Sequence, residues 1–351
     1  MRTEEPLPEA GALPDDALLR VDGLHVHYRQ AGWKARRAGT VRAVDNVSFA
    51  LRPGETTGLV GESGSGKSSF AKALVRLERA VAGQVWFEGA DLLALSSREM
   101  RSTRRHIQMV FQDSLNALNP RHTVAQTLAE PLLVHQLASR SEARVRAAEL
   151  ASMVGIGPEL LSRYPGQLSG GQRQRVNIAR ALAPGPSLII ADEPTSALDV
   201  SVQAQILNLL RELQASTGIT MLFISHDLSV VRRVSRRVAV MYLGQIVEEG
   251  PRNEIYSSPR HPYTRALLEA APHPDPRRER ARKQAPIPGD VPSAGAPPSG
   301  CRFHPRCRLA RDMCAATPPP LRLVADGHLA ACHFADDLSA ISGGERKTRQ
   351  E

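Results

Sequence analysis

Aromatic residues are scarce in this chain: 4% of 351, with two tryptophans, five tyrosines and seven phenylalanines. A basic surface without interleaved aromatics lacks the stacking platforms that single-strand nucleic-acid binders use. The formal net charge of +9 and pI of about 9.9 are therefore read as a positively charged solvated surface, with no nucleic acid expected as partner. Long apolar runs are missing too, none approaching the ~18 residues of a membrane span. Met1–Asp16 is acidic and carries prolines, unlike the basic-then-apolar opening of a secretion signal, so a cytosolic protein is expected. Cysteine is absent before Cys301, which rules out thiols scattered through the main core. Internal repeats are absent as well. What remains, 42% hydrophobic and 23% charged, can bury one large domain with additions.

The chain is organised around Gly61-Glu62-Ser63-Gly64-Ser65-Gly66-Lys67-Ser68, which fits the phosphate-loop pattern G-x-x-x-x-G-K-[ST] at every fixed position. Thr56–Val60 reads as a strand before it and Ser69–Leu77 as an apolar-spaced helix after it. Glycines let successive N–H groups curl around a phosphate, and the helix that follows points its positive end at the anion. Lys67 is expected to neutralise β- and γ-phosphate oxygens and Ser68 to ligate Mg2+. The loop alone does not separate kinases, GTPases and motor ATPases.

Taken in order, residues 1–17 read as a mobile tail. Leu24, Val26 and Tyr28 mark a strand, residues 31–40 a basic loop, and Val41–Leu51 the next strand. Gly83–Gly89 reads as a hairpin, Ser96–Arg105 as a capped helix and Ile107–Phe111 as a buried strand ending on Gln112. Residues 113–184 turn helical: Val124, Leu128 and Leu132 share a face, and Ser141 is expected to cap a helix to Val154. A further helix is expected from Arg173 to Ala183. Ser187–Ala191 closes on Asp192-Glu193, a helix carries Val202, Ile206, Leu209, Leu210 and Leu213, and Thr220–Ile224 ends before His226. Strands alternating with helices predict a mainly parallel α/β sheet with a helical insertion.

Asp192, at the end of a buried strand, is placed to hold Mg2+. Glu193 beside it is the group to polarise a water attacking the γ-phosphate. Gln112 and His226 end two further strands, where such sheets place ligand groups, and either can reach metal, γ-phosphate or water.

Leu168-Ser169-Gly170-Gly171-Gln172 decides the subclass, because it resembles the signature of the ATP-binding cassette (ABC) superfamily. The resemblance covers residues 18–272. It implies a P-loop NTPase fold with an inserted helical subdomain, Gln112 as the Q-loop glutamine, Ser196 to Asp199 as the D-loop and His226 as the switch histidine. Tyr28 would stack on adenine, and Ser69, Ser169, Gly170, Gly171, Gln172 and Asp199 would complete the ATP contacts. As physics, the signature is a second phosphate cradle. One loop and one signature make two half-sites, so a second ABC ATPase subunit is implied. Ser114–Pro120 and His261-Pro262-Tyr263-Thr264 are similar to the ATPases of oligopeptide and dipeptide importers. Read as residues alone, the His-Pro-Tyr stretch is a turn before a short amphipathic helix, diagnostic rather than mechanistic.

Residues 273–300, rich in proline and arginine, read as a linker or as a segment lying across the domain surface. That linker is expected to set a four-cysteine module, 301–334, apart from the nucleotide loop, with 335–351 a polar tail. Cys301, Cys307, Cys314 and Cys332 lack both the close C-x2–4-C pair of structural zinc and the ferredoxin run, although His304 and His333 are near. Spacing leaves the metal open. The resemblance implies a [4Fe–4S] cluster, with zinc and metal-free thiols the alternatives. It also implies two membrane permeases, an extracytoplasmic solute-binding protein and a place at the cytoplasmic face of the cell membrane. The expected function is ATP hydrolysis driving peptide uptake. The alternative, a soluble ABC ATPase acting on nucleic acid or ribosomes, fits less well because such proteins commonly carry two cassettes.

Overall fold

The computed structural model describes residues 16–29, 40–196, 198–270, 287 and 289–337. The expected N-terminal tail to residue 15, the basic loop 31–39, Ala197 of the D-loop stretch, most of the proline-rich segment and the tail from 338 lie outside these residues.

Two sheets form the scaffold. Strands β1 (Leu19–Arg29), β2 (Thr40–Leu51), β4 (Ala82–Phe87) and β5 (Ala90–Asp91) make an antiparallel sheet in the order β2-β1-β4-β5. The larger sheet has eight strands. Its parallel part comprises β9 (Arg237–Tyr242), β3 (Thr56–Val60), β8 (Thr220–Ser225), β7 (Leu188–Asp192) and β6 (Ile107–Val110). Strands β3, β7 and β8 are buried along their whole length, as parallel strands covered on both faces must be. Alternate residues feed two cores. Leu59, Ile190, Leu222 and Met241 face the antiparallel sheet and α1 (Lys67–Leu74), whereas Val60, Ala191, Phe223 and Val240 face the helices. Each of these side chains larger than alanine contributes about 2 kcal/mol by leaving water.

Between β6 and β7 lie α3 (Val124–Val134), α4 (Arg140–Met153) and α5 (Gly170–Leu182). Each begins with a reciprocal side-chain cap: Thr123 with Gln126, Ser139 with Glu142, Ser169 with Gln172. The cap of α4 is thus Ser139, not Ser141, because Ser139 has the glutamate three residues on. Likewise α5 starts at Gly170 rather than Arg173, and α1 at Lys67 rather than Ser69.

The cysteine-bearing segment is not set apart. Strand β10 (Gln245–Pro251) pairs with β9, then with β12 (His328–Ala330), which pairs with β11 (Arg322–Ala325), so residues 322–330 extend the main sheet. In the preceding stretch, Ala294 accepts the Arg42 N–H at 3.1 Å, and Ile287 packs on the core. The described part therefore lies across the domain. Glu248 of β10, wholly buried, fastens this return. Its carboxylate accepts from His328 Nε2 (2.7 Å), Arg260 N (2.6 Å) and His261 N (3.0 Å). Truncation as His328→Ala leaves one carboxylate oxygen short of a partner, a loss of about 2 kcal/mol. Denaturant titration should show it as a lowered midpoint, and an unchanged midpoint would mean that β12 contributes nothing to the fold.

Candidate functional site

Because β3, β6, β7 and β8 run parallel in register, their C-terminal ends open on one edge of the sheet. The phosphate loop follows β3, Gln112 follows β6, Asp192 closes β7 with Glu193 next, and His226 follows β8. Gln112, Glu193 and His226 line one cleft with Glu62, Ser63, Gly64, Gly66, Lys67, Ser68 and Ser69, whereas Asp192 is buried outside that lining, bonded to Ser68. Gly61 and Ser65 lie beneath the loop, buried.

Main chain approaches the loop too closely for any side chain. A Cβ on Gly66 would meet the Ala43 carbonyl oxygen at 2.0 Å, and Gly66 has φ 106°, a region that L-residues avoid. A Cβ on Gly61 would stand 2.2 Å from the Met241 carbonyl oxygen. Lys67 folds back on the loop, donating to the carbonyls of Gly61 (2.8 Å) and Glu62 (2.9 Å). Burial lowers its pKa, partly offset by Glu193, Asp192 and Glu62. An entering phosphate would therefore meet a partly desolvated ammonium held by exchangeable bonds.

Ser68 Oγ donates to Asp192 Oδ1 at 3.0 Å, so the hydroxyl and carboxylate that would share a divalent cation are already paired. Glu193 takes the Gln112 amide on one oxygen (3.1 Å) and His226 Nδ1 on the other (3.2 Å). Its φ of 45° is unusual for a residue with a side chain and is held by its N–H to the Ile224 carbonyl (3.0 Å) and by Ser196 Oγ donating to its own carbonyl (3.1 Å). The carboxylate is thereby aimed between strand ends instead of along β7.

Not every expected residue meets there. Tyr28 is half-buried against the core and donates its hydroxyl to Ser69 Oγ at 3.1 Å, while Val41 and Ala43 line the cleft on that side. Gly170 reaches the cleft wall, but Ser169, Gly171 and Gln172 lie outside its lining, the Ser169–Gln172 cap opening α5. Asp199 is exposed at the start of α6 (Val200–Thr217).

Two residues at the loop were not read from sequence. Tyr263, on α9 (Pro262–Ala270), accepts the Glu62 N–H at 2.8 Å, so the His-Pro-Tyr stretch has a mechanical part. Its neighbour His261 is buried and its pKa pushed down to about 3 by that burial, so it is neutral and accepts the Tyr263 N–H through Nδ1 (3.1 Å). Arg306 grips the Glu62 carboxylate through both terminal nitrogens, at 2.7 and 3.1 Å. No sequence pattern links residues so far apart.

The four cysteines are free thiols lining one cavity with His261, His304 and His333. Desolvation raises the pKa of Cys301 and Cys307 and pushes Cys332 up to about 12. Among the described residues no three of the sulfurs lie within 4.8 Å of one another. His304 and His333 each give a ring nitrogen to a main-chain carbonyl, of Cys301 and Thr317.

The model of the ABC transporter family matches residues 44–196, and that of the oligopeptide/dipeptide transporter C-terminal region matches 247–314. The chain is 55% identical over 326 residues to a probable peptide ABC transporter ATP-binding protein of Sinorhizobium fredii, covering 93% of this chain and 92% of the relative. It is 48% identical to the oligopeptide transport ATP-binding protein AppF of Bacillus subtilis, covering 87% and 93%. An ATP-binding cassette dimer in a post-hydrolysis state with ADP and phosphate matches with TM-score 0.60 and 32% identity, over 66% of this chain and 98% of that one.

Burial raises the Asp192 pKa, with Ser68 opposing it and Glu193 adding to it. A cation shared with Ser68 competes with protonation of that carboxylate. The Mg2+ dependence of ATP turnover should therefore tighten as pH rises through the raised pKa and level off above it. The same pH slope in Asp192→Asn would show that the competing proton sits elsewhere.

Proposed function

The chain belongs to the ATP-binding subunits of peptide ABC importers, which are ATPases coupled to transport, and from that premise we propose the division of labour within it. ATP·Mg2+ is the substrate, and the observation that carries the reading is the carboxylate of Glu193 suspended between Gln112 and His226, beside the Ser68–Asp192 pair. Lys67 and the N–H groups of the loop hold the phosphates. Ser68, Asp192 and Gln112 are the residues that would hold Mg2+, which supplies charge neutralisation at the phosphates. Glu193 accepts the proton of the attacking water, with Gln112 and His226 orienting the carboxylate. Stacking of Tyr28 on the base requires it to leave Ser69.

We take residues 18–272 as the ATPase domain and 113–184 as its inserted helical subdomain. Ser169, Gly170, Gly171, Gln172 and Asp199 are proposed to meet ATP held by a second ATPase subunit. The largely exposed Val200 beside Asp199, the uncovered start of α5 and the dimeric form of the matched cassette support this. Membrane permeases would dock on the helical subdomain, where Leu115, Val134, Val145 and Met153 are exposed. No described helix is long and apolar enough to cross a membrane, in keeping with a peripheral subunit at the cytoplasmic face. The solute-binding protein would act through the permeases.

For residues 301–334, a [4Fe–4S] cluster is favoured over zinc. The four thiols line one cavity together, and their spacing in sequence lacks the close C-x2–4-C pair of structural zinc.

Glu193→Gln keeps the shape and removes the base, so steady-state hydrolysis should fall by about two orders of magnitude or more while ATP still binds. Wild-type turnover in this variant would remove Glu193 from its role. Anaerobically purified protein should be brown, with iron and acid-labile sulfide in near-equal amounts. Colourless protein containing zinc would replace the cluster with zinc, and metal-free protein would end both readings.

A further inference from the structure

The C-terminal segment reaches the phosphate loop at Glu62, its second residue. The Glu62 N–H leaves the loop to donate to Tyr263 Oη, while its carbonyl accepts from Lys67 Nζ and the Ser65 N–H within the loop. Its side chain turns away from the phosphates to meet Arg306, whose side chain is only 5% exposed against 25% for Glu62. The guanidinium lies against the Tyr242 ring, 5.9 Å from its centroid, and donates to the Tyr242 hydroxyl at 3.5 Å. Tyr242, Tyr263 and Phe303 pack ring against ring around it. Arg306 thus has little freedom of its own.

Arg306 also ends the short turn His304–Arg306, and Cys307 follows directly, its N–H bonded to the His304 carbonyl. At the other end of that turn, Cys301 binds the Cys314 carbonyl through its N–H at 2.7 Å. Arg302 next to it is ion-paired to Asp45 and donates to the Leu243 carbonyl. Asp45 N–H in turn bonds the Gly244 carbonyl (2.9 Å), and Gly244 N–H bonds the Ser65 carbonyl inside the loop (2.8 Å). Two chains of contact therefore run from the cysteine turn to the loop, one through Arg306 and Glu62, the other through Arg302, Asp45 and Gly244.

We infer that Arg306 is a positioning residue for the phosphate loop, and that through it the state of the four-cysteine site sets the affinity for ATP. The inference rests on the cleft being the ATP site and is independent of which metal the thiols take. A bidentate guanidinium–carboxylate pair fixes orientation as well as distance, so it holds the Glu62 backbone in the shape that aims the loop's N–H groups. Ligation at Cys307 constrains the turn that carries Arg306. Loss of ligation frees that turn, and the loop loses its outside support.

The test is a double-mutant cycle on the full-length chain, reading ATP affinity by calorimetry and folding by thermal melts. Arg306→Ala should weaken ATP binding about tenfold, the scale set by breaking a largely desolvated charged pair. The kcat at saturating ATP should hold within about twofold, since the lost interaction serves binding uniformly. Arg306→Lys should recover part of the loss, because the charge remains while the fork does not. Glu62→Gln should weaken ATP binding to a similar extent as Arg306→Ala, and the double variant should bind no worse than either single one. Cys307→Ser should weaken ATP binding when Arg306 is present and add nothing in Arg306→Ala. Wild-type affinity in folded Arg306→Ala, or additive losses in the double variant, overturns the positioning role. Unchanged affinity in Cys307→Ser overturns the coupling. Iron, sulfide and zinc content of the same preparations reports on the metal separately, so a metal-free chain that still obeys the Arg306–Glu62 cycle ends the cluster reading alone.

Discussion

A loop that is to seize an anion must keep its N–H groups uncommitted, and so it cannot hold its own shape with them. That constraint organises the surrounding structure. The loop is held by contacts that avoid its phosphate-facing donors: the Ser65 carbonyl by Gly244, the Glu62 N–H by Tyr263 and the Glu62 carboxylate by Arg306. Where main chain presses closest, at Ala43 against Gly66 and Met241 against Gly61, only glycine fits. The glycines thus serve two ends, approach to a phosphate on one side and close packing of supporting backbone on the other.

The chemistry at the strand ends obeys a similar rule. Groups that must act on a phosphate or a water are kept on partners they can exchange. Lys67 rests on two carbonyls, Ser68 on Asp192, and Glu193 on Gln112 and His226. Each such bond costs less to replace than a bare buried charge would cost to maintain. The left-handed backbone of Glu193 is the exception, a fixed strain held by β8 and Ser196 that aims the carboxylate before substrate arrives.

The cleft was legible in the sequence because its residues follow apolar strands directly: Gln112 after Ile107–Val110, Asp192 after Leu188–Ala191, His226 after Thr220–Ser225. A continuous buried strand announces itself, and parallel register then brings the ends together. The caps of the helices were half legible. Ser139 and Ser141 both precede the α4 periodicity, and only the spacing to Glu142 distinguishes them. The supports were not legible. Tyr263 sits in a motif that looks like a turn, and Arg306 is one arginine among many near the cysteines. Their partner is a glutamate at a position where the phosphate-loop pattern allows any residue. The Tyr28–Ser69 contact was not legible for a related reason, since a strand-ending aromatic reads the same whether it faces a base or a serine.

A proline-rich stretch between two segments says how the chain travels, not how far it goes. Loop closure costs only a few tenths of a kcal/mol more as such a connection lengthens by half, so remoteness in sequence is weak grounds for remoteness in space. What decides is whether the returning segment finds enough partners. Here it finds the edge of β10 and the buried Glu248 carboxylate, both independent of the phosphate loop, and also Asp45. Asp45 shows the balance: burial pushes its carboxyl up, Arg302 beside it more than compensates, and the net pKa is below the usual range. These contacts meet the ordering cost of the segment before Arg306 reaches Glu62. On a mobile module the same ion pair would be worth about 0–1 kcal/mol, most of its attraction lost to ordering and screening. On a segment already fixed, its full geometric force falls on the loop. A ligand at the cysteines that tightens the turn then also tightens the loop, and ATP that orders the loop must by reciprocity favour the ligated turn.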